Sequence, residues 1–351
     1  IFEELKKRNI KILATLYSPS GYNLAVNNTL PDGVFYLPFD SRKLVKSFLQ
    51  ALSPDVFVFC KHDIWPNVVW ICGELNIPLI IANTNLHRKS SRLNPFLIHF
   101  NRGIFNRFDT IFTVSDNHAR RIEKIAGSPD KIAAVGDSRF DRVVSQVKNA
   151  GVSLPETFTE SPALIGGSVW PAEDFVLESY IELHRNYPDW KLIWVPHEPH
   201  EDYLVCTERM LLSSTGLTSL RYSGLTDYQD QDVLIVDQVG VLPPLYKYAD
   251  IAYVGGGFGK GVHSVIEPAA FSIPVIFGPN NHVSAEAGEL LKRKCGFAVR
   301  GKEDFMPLLV ELMNNGAKRQ ESGNIAGQFV AEKTGAAEII AQKIAELVNP
   351  R

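Results

Sequence analysis

The sequence predicts an α/β protein made of two doubly wound, Rossmann-like halves facing across a cleft. Three observations point there. Short apolar runs alternate with longer amphipathic ones along the whole chain. A polar stretch carrying Gly and Pro, residues 150–158, interrupts the alternation once, after which it restarts. A glycine-rich strand-to-helix turn lies within the restarted half, over 253–279. Such alternation is what a parallel sheet covered on both faces requires. At 351 residues the chain is long for one core and suits two.

The chain opens on IFEELKKRNI, an amphipathic helix pattern without a starting methionine, so residues before Ile1 are expected to be missing. Strands are then expected at 11–16, 34–37, 56–59, 79–83, 110–114 and 131–135, with helices near 42–52, 65–75, 95–108, 117–125 and 140–148. Residues 150–158 read as a linker. Beyond it, strands are expected at 163–166, 191–195, 232–236, 251–254, 274–277 and 297–299, with helices near 172–186, 201–212, 264–271, 285–292 and 302–314. Apolar residues at helical spacing over 335–348 make a final helix. The expected division is a first domain over 1–150, a second over 159–334 and a C-terminal helix over 335–351.

Composition narrows the function. The chain is 45% hydrophobic and 21% charged, ordinary for a globular protein. A net charge of −3 supplies no global basic field, so no nucleic-acid partner is expected. Cys60, Cys72, Cys206 and Cys295 form no CxxC pair and read as reduced thiols. The sequence has no signal-peptide pattern, and no apolar run approaches the roughly 20 residues of a membrane span.

The turn over 253–279 carries the most chemistry. An apolar strand enters Gly255, Gly256, Gly257, Gly259 and Gly261, followed by a helix expected to hold His263 in its first turn and Glu267 one turn later. Glycines let backbone N–H groups approach a ligand closely, and a helix N-terminus favours anions. A carboxylate one turn in can accept hydrogen bonds from sugar hydroxyls. Together these are the needs of a nucleotide-sugar site, although tight turns also need glycine.

Other segments leave alternatives open. The run Trp194-Val-Pro-His-Glu-Pro-His200 ends a strand and reads as a ligand-contacting loop or as a plain one; its spacing matches no standard zinc motif, and no metal is expected. Gly166, Gly167 and Ser168 suit a phosphate contact or a helix cap equally well. Arg139 either reaches the cleft or pairs with Asp137 or Asp141. Asp63, beside His62 at a strand end, is the best acid/base candidate of the first half, with capping of the helix that starts at Trp65 and Pro66 as the alternative. Residues 88–107 carry Arg88, Lys89, Arg92, Arg102 and Arg107 among Leu93, Phe96, Leu97, Phe100 and Phe105, with no acidic residue. A basic, apolar helix of this kind suits an anionic membrane surface or a phosphorylated lipid, or else is a solvated face.

Taken together these residues resemble the 3-deoxy-D-manno-octulosonic acid (Kdo) transferases of lipopolysaccharide biosynthesis, a family with the two-domain GT-B glycosyltransferase fold. The resemblance runs over nearly the whole chain. It includes Thr15-Leu-Tyr-Ser-Pro-Ser-Gly21, Trp65-Pro-Asn67, Asn83-Thr-Asn-Leu86 with Ser90, and Gly136-Asp-Ser-Arg-Phe-Asp141. It continues through Val195-Pro196, Val239-Gly240 followed by Leu245-Tyr246, Val254-Gly-Gly256, Gly261-Val-His-Ser-Val-Ile-Glu-Pro-Ala269, Phe277-Gly-Pro279 and Glu286-Ala287.

The resemblance implies CMP-Kdo as donor, held mainly by the second domain. Pro196 and His197 would lie near the cytidine and phosphate, and Val239, Gly240 and Val241 would meet the base. Ser168 joins this donor set. Gly255, Gly256 and Gly257 with His263 and Ser264 would hold phosphate, and Glu267 the ribose. The acceptor would be a lipid A precursor, met by Arg88, Lys89, Arg92 and Arg102 while the protein sits peripherally on the cytoplasmic face of the bacterial inner membrane. No cofactor and no metal are implied.

The chain also departs from the family. The usual general base, a Glu in a Gly-Glu pair just upstream of the first helix, has no counterpart here, so a polypeptide of this sequence alone is expected to be inactive or impaired. Asp63 stands where Glu is usual, and Ser264 where Asn is usual. Two other readings remain. One is a different GT-B nucleotide-sugar enzyme, such as a UDP-sugar transferase or a sugar-nucleotide 2-epimerase. The other is a non-catalytic binding module.

Overall fold

The structure is a computed structural model that describes all residues except 62, 89, 150, 216 and 349–351. The chain forms two compact units. One comprises Ile1–Asp141 with Lys333–Arg351, the other Arg142–Glu332.

The first unit runs α1 (Phe2–Lys7), β1 (Leu13–Leu16), α2 (Pro19–Val26), β2 (Gly33–Tyr36), α3 (Arg42–Leu52), β3 (Phe57–Cys60), α4 (Pro66–Leu75), β4 (Leu79–Thr84), α5 (Ile98–Phe105), β5 (Thr110–Thr113), α6 (Asp116–Ala126), β6 (Ile132–Ala134) and the start of α7 (Ser138–Lys148). All its strand pairs are parallel, in a sheet ordered β3-β4-β5-β6 and a separate pair β1-β2. The apolar run of β4 is buried on both faces, as a central parallel strand requires. Val45 and Leu49 of α3 turn inward onto Phe59, Val69 and Ile81. Gly127, in the left-handed region at φ 70°, ends α6.

The second unit runs α8 (Glu156–Glu160), β7 (Ala163–Val169), α9 (Phe175–His184), β8 (Lys191–Pro196), α10 (Glu201–Thr215), β9 (Ser219–Arg221), β10 (Val233–Ile235), α11 (Leu242–Leu245), β11 (Ile251–Val254), α12 (Ile266–Ala270), β12 (Val275–Phe277), α13 (Ala285–Lys292), β13 (Gly296–Ala298), α14 (Lys302–Asn314) and α15 (Gly316–Ala331). Its seven strands form one parallel sheet in the order β13-β12-β11-β7-β8-β10-β9. Trp194, Tyr253 and Phe305 fill one face, and Ile193, Leu234 and Tyr246 the other.

The last helix, α16 (Ala336–Leu347), returns to the first unit, where Ile340 and Ile344 pack with Leu5, Ile80 and Phe112. Asp141 fixes its start by accepting hydrogen bonds from Gly335 N (2.6 Å) and Ala337 N (3.2 Å). The units therefore divide differently from the 1–150, 159–334 and 335–351 expected. Helix α7 carries the chain through the boundary unbroken. The Pro-containing stretch after it folds onto the second unit, burying Leu154 and Phe158. Helix α15 was not expected, because three of its residues are glycine. They serve packing: a side chain at Gly323 or Gly327 would collide with Ser272.

Candidate functional site

Strands β7 and β11 are neighbours in space but distant in sequence, with Gly167 opposite Val254. Their carboxyl ends mark the switch point at which open parallel sheets hold ligands. Most of the expected donor residues gather around it. Ser168 lies in β7 with a left-handed backbone (φ 54°), Pro196 ends β8, and Gly255 follows β11. Gly255 N bonds to Gly167 O at 2.9 Å and His197 N to Val169 O at 2.9 Å, tying the three loops together. Val239, Gly240 and Val241 follow β10, two strands from β7. Val239 is 83% exposed and Gly240 turns at φ 89°.

A wholly buried carboxylate organises the turn. Glu173 accepts hydrogen bonds from Trp170 N (3.0 Å), Gly256 N (3.0 Å) and the Tyr253 hydroxyl (3.1 Å). Burial pushes its pKa up, and these donors oppose the shift. The expectation that Gly255–Gly257 present their amides to phosphate is thus corrected in part. The N–H groups of Gly255 and Gly256 are spent on Gly167 and Glu173, and of the three only that of Gly257 has no partner among the described residues. Glycine is needed at 255 because a Cβ would collide with the Ser168 carbonyl, and at 256 because φ is 89°.

The helix after the turn is shorter than expected. His263 N bonds to Gly255 O (2.9 Å), which folds the chain back, and α12 begins only at Ile266. His263 and Ser264 therefore lie in the loop, and five residues of helix supply little dipole. His263 Nε2 accepts from Trp170 Nε1 at 3.1 Å. His197 stacks on both rings, with centroids 4.5 Å from Trp170 and 4.4 Å from His263. Burial lowers the His263 pKa, and His197 lowers it further. Glu267 sits in the first turn of α12. Burial raises its pKa, against a hydrogen bond from Ser264 and the charge of Arg142. Trp170 and Glu173 were missed as site residues. The signal was there in a Trp-Pro pair and an acid just after Gly166-Gly167-Ser168, but it reads as an ordinary helix start.

In the first unit Asp63 is exposed in the loop between β3 and α4. The capping alternative is not what forms, since the N-terminus of α4 is met by Asp40, whose Oδ2 accepts from Asn67 N at 3.3 Å. Burial lowers the Arg92 pKa, against the charge of Asp63. Residues 88–107 are not one helix, because Pro95 and a short turn over Ser91–Leu93 precede α5. Arg88 and Arg102 are exposed, Lys89 lies outside the described residues, and Arg92 lies half-buried with its guanidinium 5.8 Å from the Phe105 ring centroid. Phe96 is 94% exposed and Phe100 50%. Arg139 pairs with Asp137 at 2.8 Å, the plainer of its two alternatives.

Among the described residues no group of three or more His, Cys, Asp or Glu is placed to hold a metal ion, and no helix is long and apolar enough to cross a membrane.

A family model described as 3-deoxy-D-manno-octulosonic-acid transferase matches residues 1–142. The chain is 26% identical to a 3-deoxy-D-manno-octulosonic acid transferase of Chlamydia trachomatis serovar A, covering 88% of this chain and 73% of that one. It is 26% identical to the enzyme of the same name from Haemophilus influenzae, covering 97% and 80%. Among solved structures, a UDP-GlcNAc 2-epimerase from Neisseria meningitidis bound to UDP-GlcNAc matches with a TM-score of 0.68 at 14% identity, covering 98% of this chain and 94% of that one. At that identity the likeness speaks to the fold alone.

Proposed function

We propose that the chain is a glycosyltransferase of the Kdo transferase family, with the GT-B fold, that moves Kdo from CMP-Kdo to a lipid A precursor, and that its residues divide the work as follows. The observation that carries the donor assignment is the meeting of Ser168, His197, the Gly255–Gly257 turn, His263 and Glu267 around the switch point between β7 and β11. Glu267 accepts the ribose hydroxyls, and Val239 to Val241 border the base. Gly257 N–H, the Ser168 hydroxyl and His263 meet the phosphate as neutral donors, while the Ser264 hydroxyl is held by Glu267.

In the reaction an acceptor hydroxyl attacks the anomeric carbon of Kdo. The bond to the phosphate oxygen breaks with inversion, and CMP leaves with the bonding electron pair. The hydroxyl proton passes to a carboxylate base. Donors fixed by the fold stabilise the charge that develops on the departing phosphate without reorganising. Asp63, exposed at the carboxyl end of β3, is the candidate carboxylate of this chain. Arg88, Arg92 and Arg102 favour a phosphorylated glycolipid, and exposed Phe96, Leu97 and Phe100 favour its apolar part, in keeping with a peripheral site on the cytoplasmic face of the inner membrane.

The test is release of CMP from CMP-Kdo. It is expected to depend on lipid A precursor and to yield a product heavier by Kdo, and Asp63→Asn is expected to lower turnover while leaving CMP binding unchanged. Consumption of a UDP-sugar in place of CMP-Kdo would overturn the reading.

A further inference from the structure

Trp170 brings the site one hydrogen-bond donor and no acceptor. Its Nε1–H points at His263 Nε2, 3.1 Å away. Nε2 must therefore keep its lone pair, and the neutral imidazole carries its proton on Nδ1. The ring cannot turn freely out of this arrangement. His197 stacks on it at 4.4 Å with the planes 14° apart, and Trp170 stacks on His197 in turn. A side chain at Gly256 would meet His263 Cδ2 at 2.8 Å and Nε2 at 3.0 Å, so that edge of the ring lies against the turn and the Nδ1 edge faces away from it. Burial, which lowers the His263 pKa, favours the same uncharged ring.

We infer that Trp170 is a positioning residue whose indole N–H locks His263 as a neutral Nδ1–H donor, aimed at a phosphate oxygen of the nucleotide. The inference rests on the reading of this unit as the donor site. On this account His263 supplies neither a cation nor a base. It supplies a directed N–H that strengthens as the leaving phosphate gains charge, and it costs no proton transfer. A Phe in place of Trp170 would keep the stacking and lose the lock.

The test uses the whole chain labelled with 15N-histidine. Two-bond proton–nitrogen correlation above the titration of the ring reports the His263 tautomer, and calorimetric titration reports CMP affinity. The wild type is expected to show Nδ1–H. Trp170→Phe is expected to move His263 to the Nε2–H form and to weaken CMP about fivefold, the worth of one net hydrogen bond. Trp170→His, whose ring N–H can replace the donor, is expected to restore part of both. An Nε2–H signal in the wild type, or an Nδ1–H signal kept in Trp170→Phe, overturns the lock while leaving the donor site intact. A changed tautomer with unchanged CMP affinity overturns the role toward phosphate. A wild type that binds no CMP overturns the donor site itself and that role with it.

Discussion

Glu173 shows how much of this site rests on one wholly buried side chain. Replacing it with Ala strands the Trp170 and Gly256 amides and the Tyr253 hydroxyl without an acceptor. Glu173→Ala is expected to cost about 2–4 kcal/mol by denaturant unfolding. Glu173→Gln is not expected to restore it fully, because an amide NH2 would face one of those donors. Glu267 behaves differently. Its pKa is raised above an ordinary value of 4.5, mainly by burial, so the native state holds that proton more tightly than the unfolded chain. The contribution of Glu267 to stability is therefore largest at low pH and falls as pH rises through the window from 4.5 to the raised native value. Glu267→Gln is expected to gain in stability relative to wild type across that window, read from urea midpoints against pH. Glu267 was singled out in the sequence because it follows a glycine cluster. Glu173 was not, because its partners Tyr253 and Gly256 lie 80 and 83 residues away along the chain.

Among elements, the central strands were the easiest to read, since a parallel strand buried on both faces shows as an unbroken apolar run. Strand β11 runs over Ile251–Val254, as its run of apolar residues indicates. Helices held by tertiary packing were harder. Helix α15 lacks a clear apolar stripe, and its glycines, read alone, argue against a helix. They are there because α15 packs closely on α12 and on Ser272 just beyond it. Gly323→Ala is expected to force α15 away from Ser272, lower stability by about 1–3 kcal/mol, and weaken CMP binding, because α12 carries Glu267. Circular-dichroism melts and CMP titration of this variant check both effects. Unchanged binding would mean that α12 keeps its place without α15. The short α12 was read too long because its first turn is diverted by the His263 N to Gly255 O bond, which no local pattern announces.

For the whole molecule, net charge and local charge point in different directions. The chain carries −3 overall, yet residues 88–107 hold five basic residues and no acidic one. The proposed lipid-facing role predicts binding to vesicles containing an anionic lipid, weakening as salt rises and nearly absent with neutral vesicles. Arg88→Glu with Arg102→Glu is expected to lower that binding at least tenfold, with CMP binding unchanged, as read by co-sedimentation. The two α/β units were legible from the restart of the strand pattern. Their boundary was not, because α7 crosses it as a continuous helix, and the destination of α16 is set by apolar residues that could have met either unit.

The proposed function rests most heavily on a cytidine nucleotide at the switch point of the second unit. The measurement that bears on it directly is calorimetric titration of CMP, UMP and UDP into the wild type and into Glu267→Ala. CMP is expected to bind most tightly, and the variant is expected to lose most of that affinity. Preference for UDP, or CMP affinity untouched by the substitution, would contradict it.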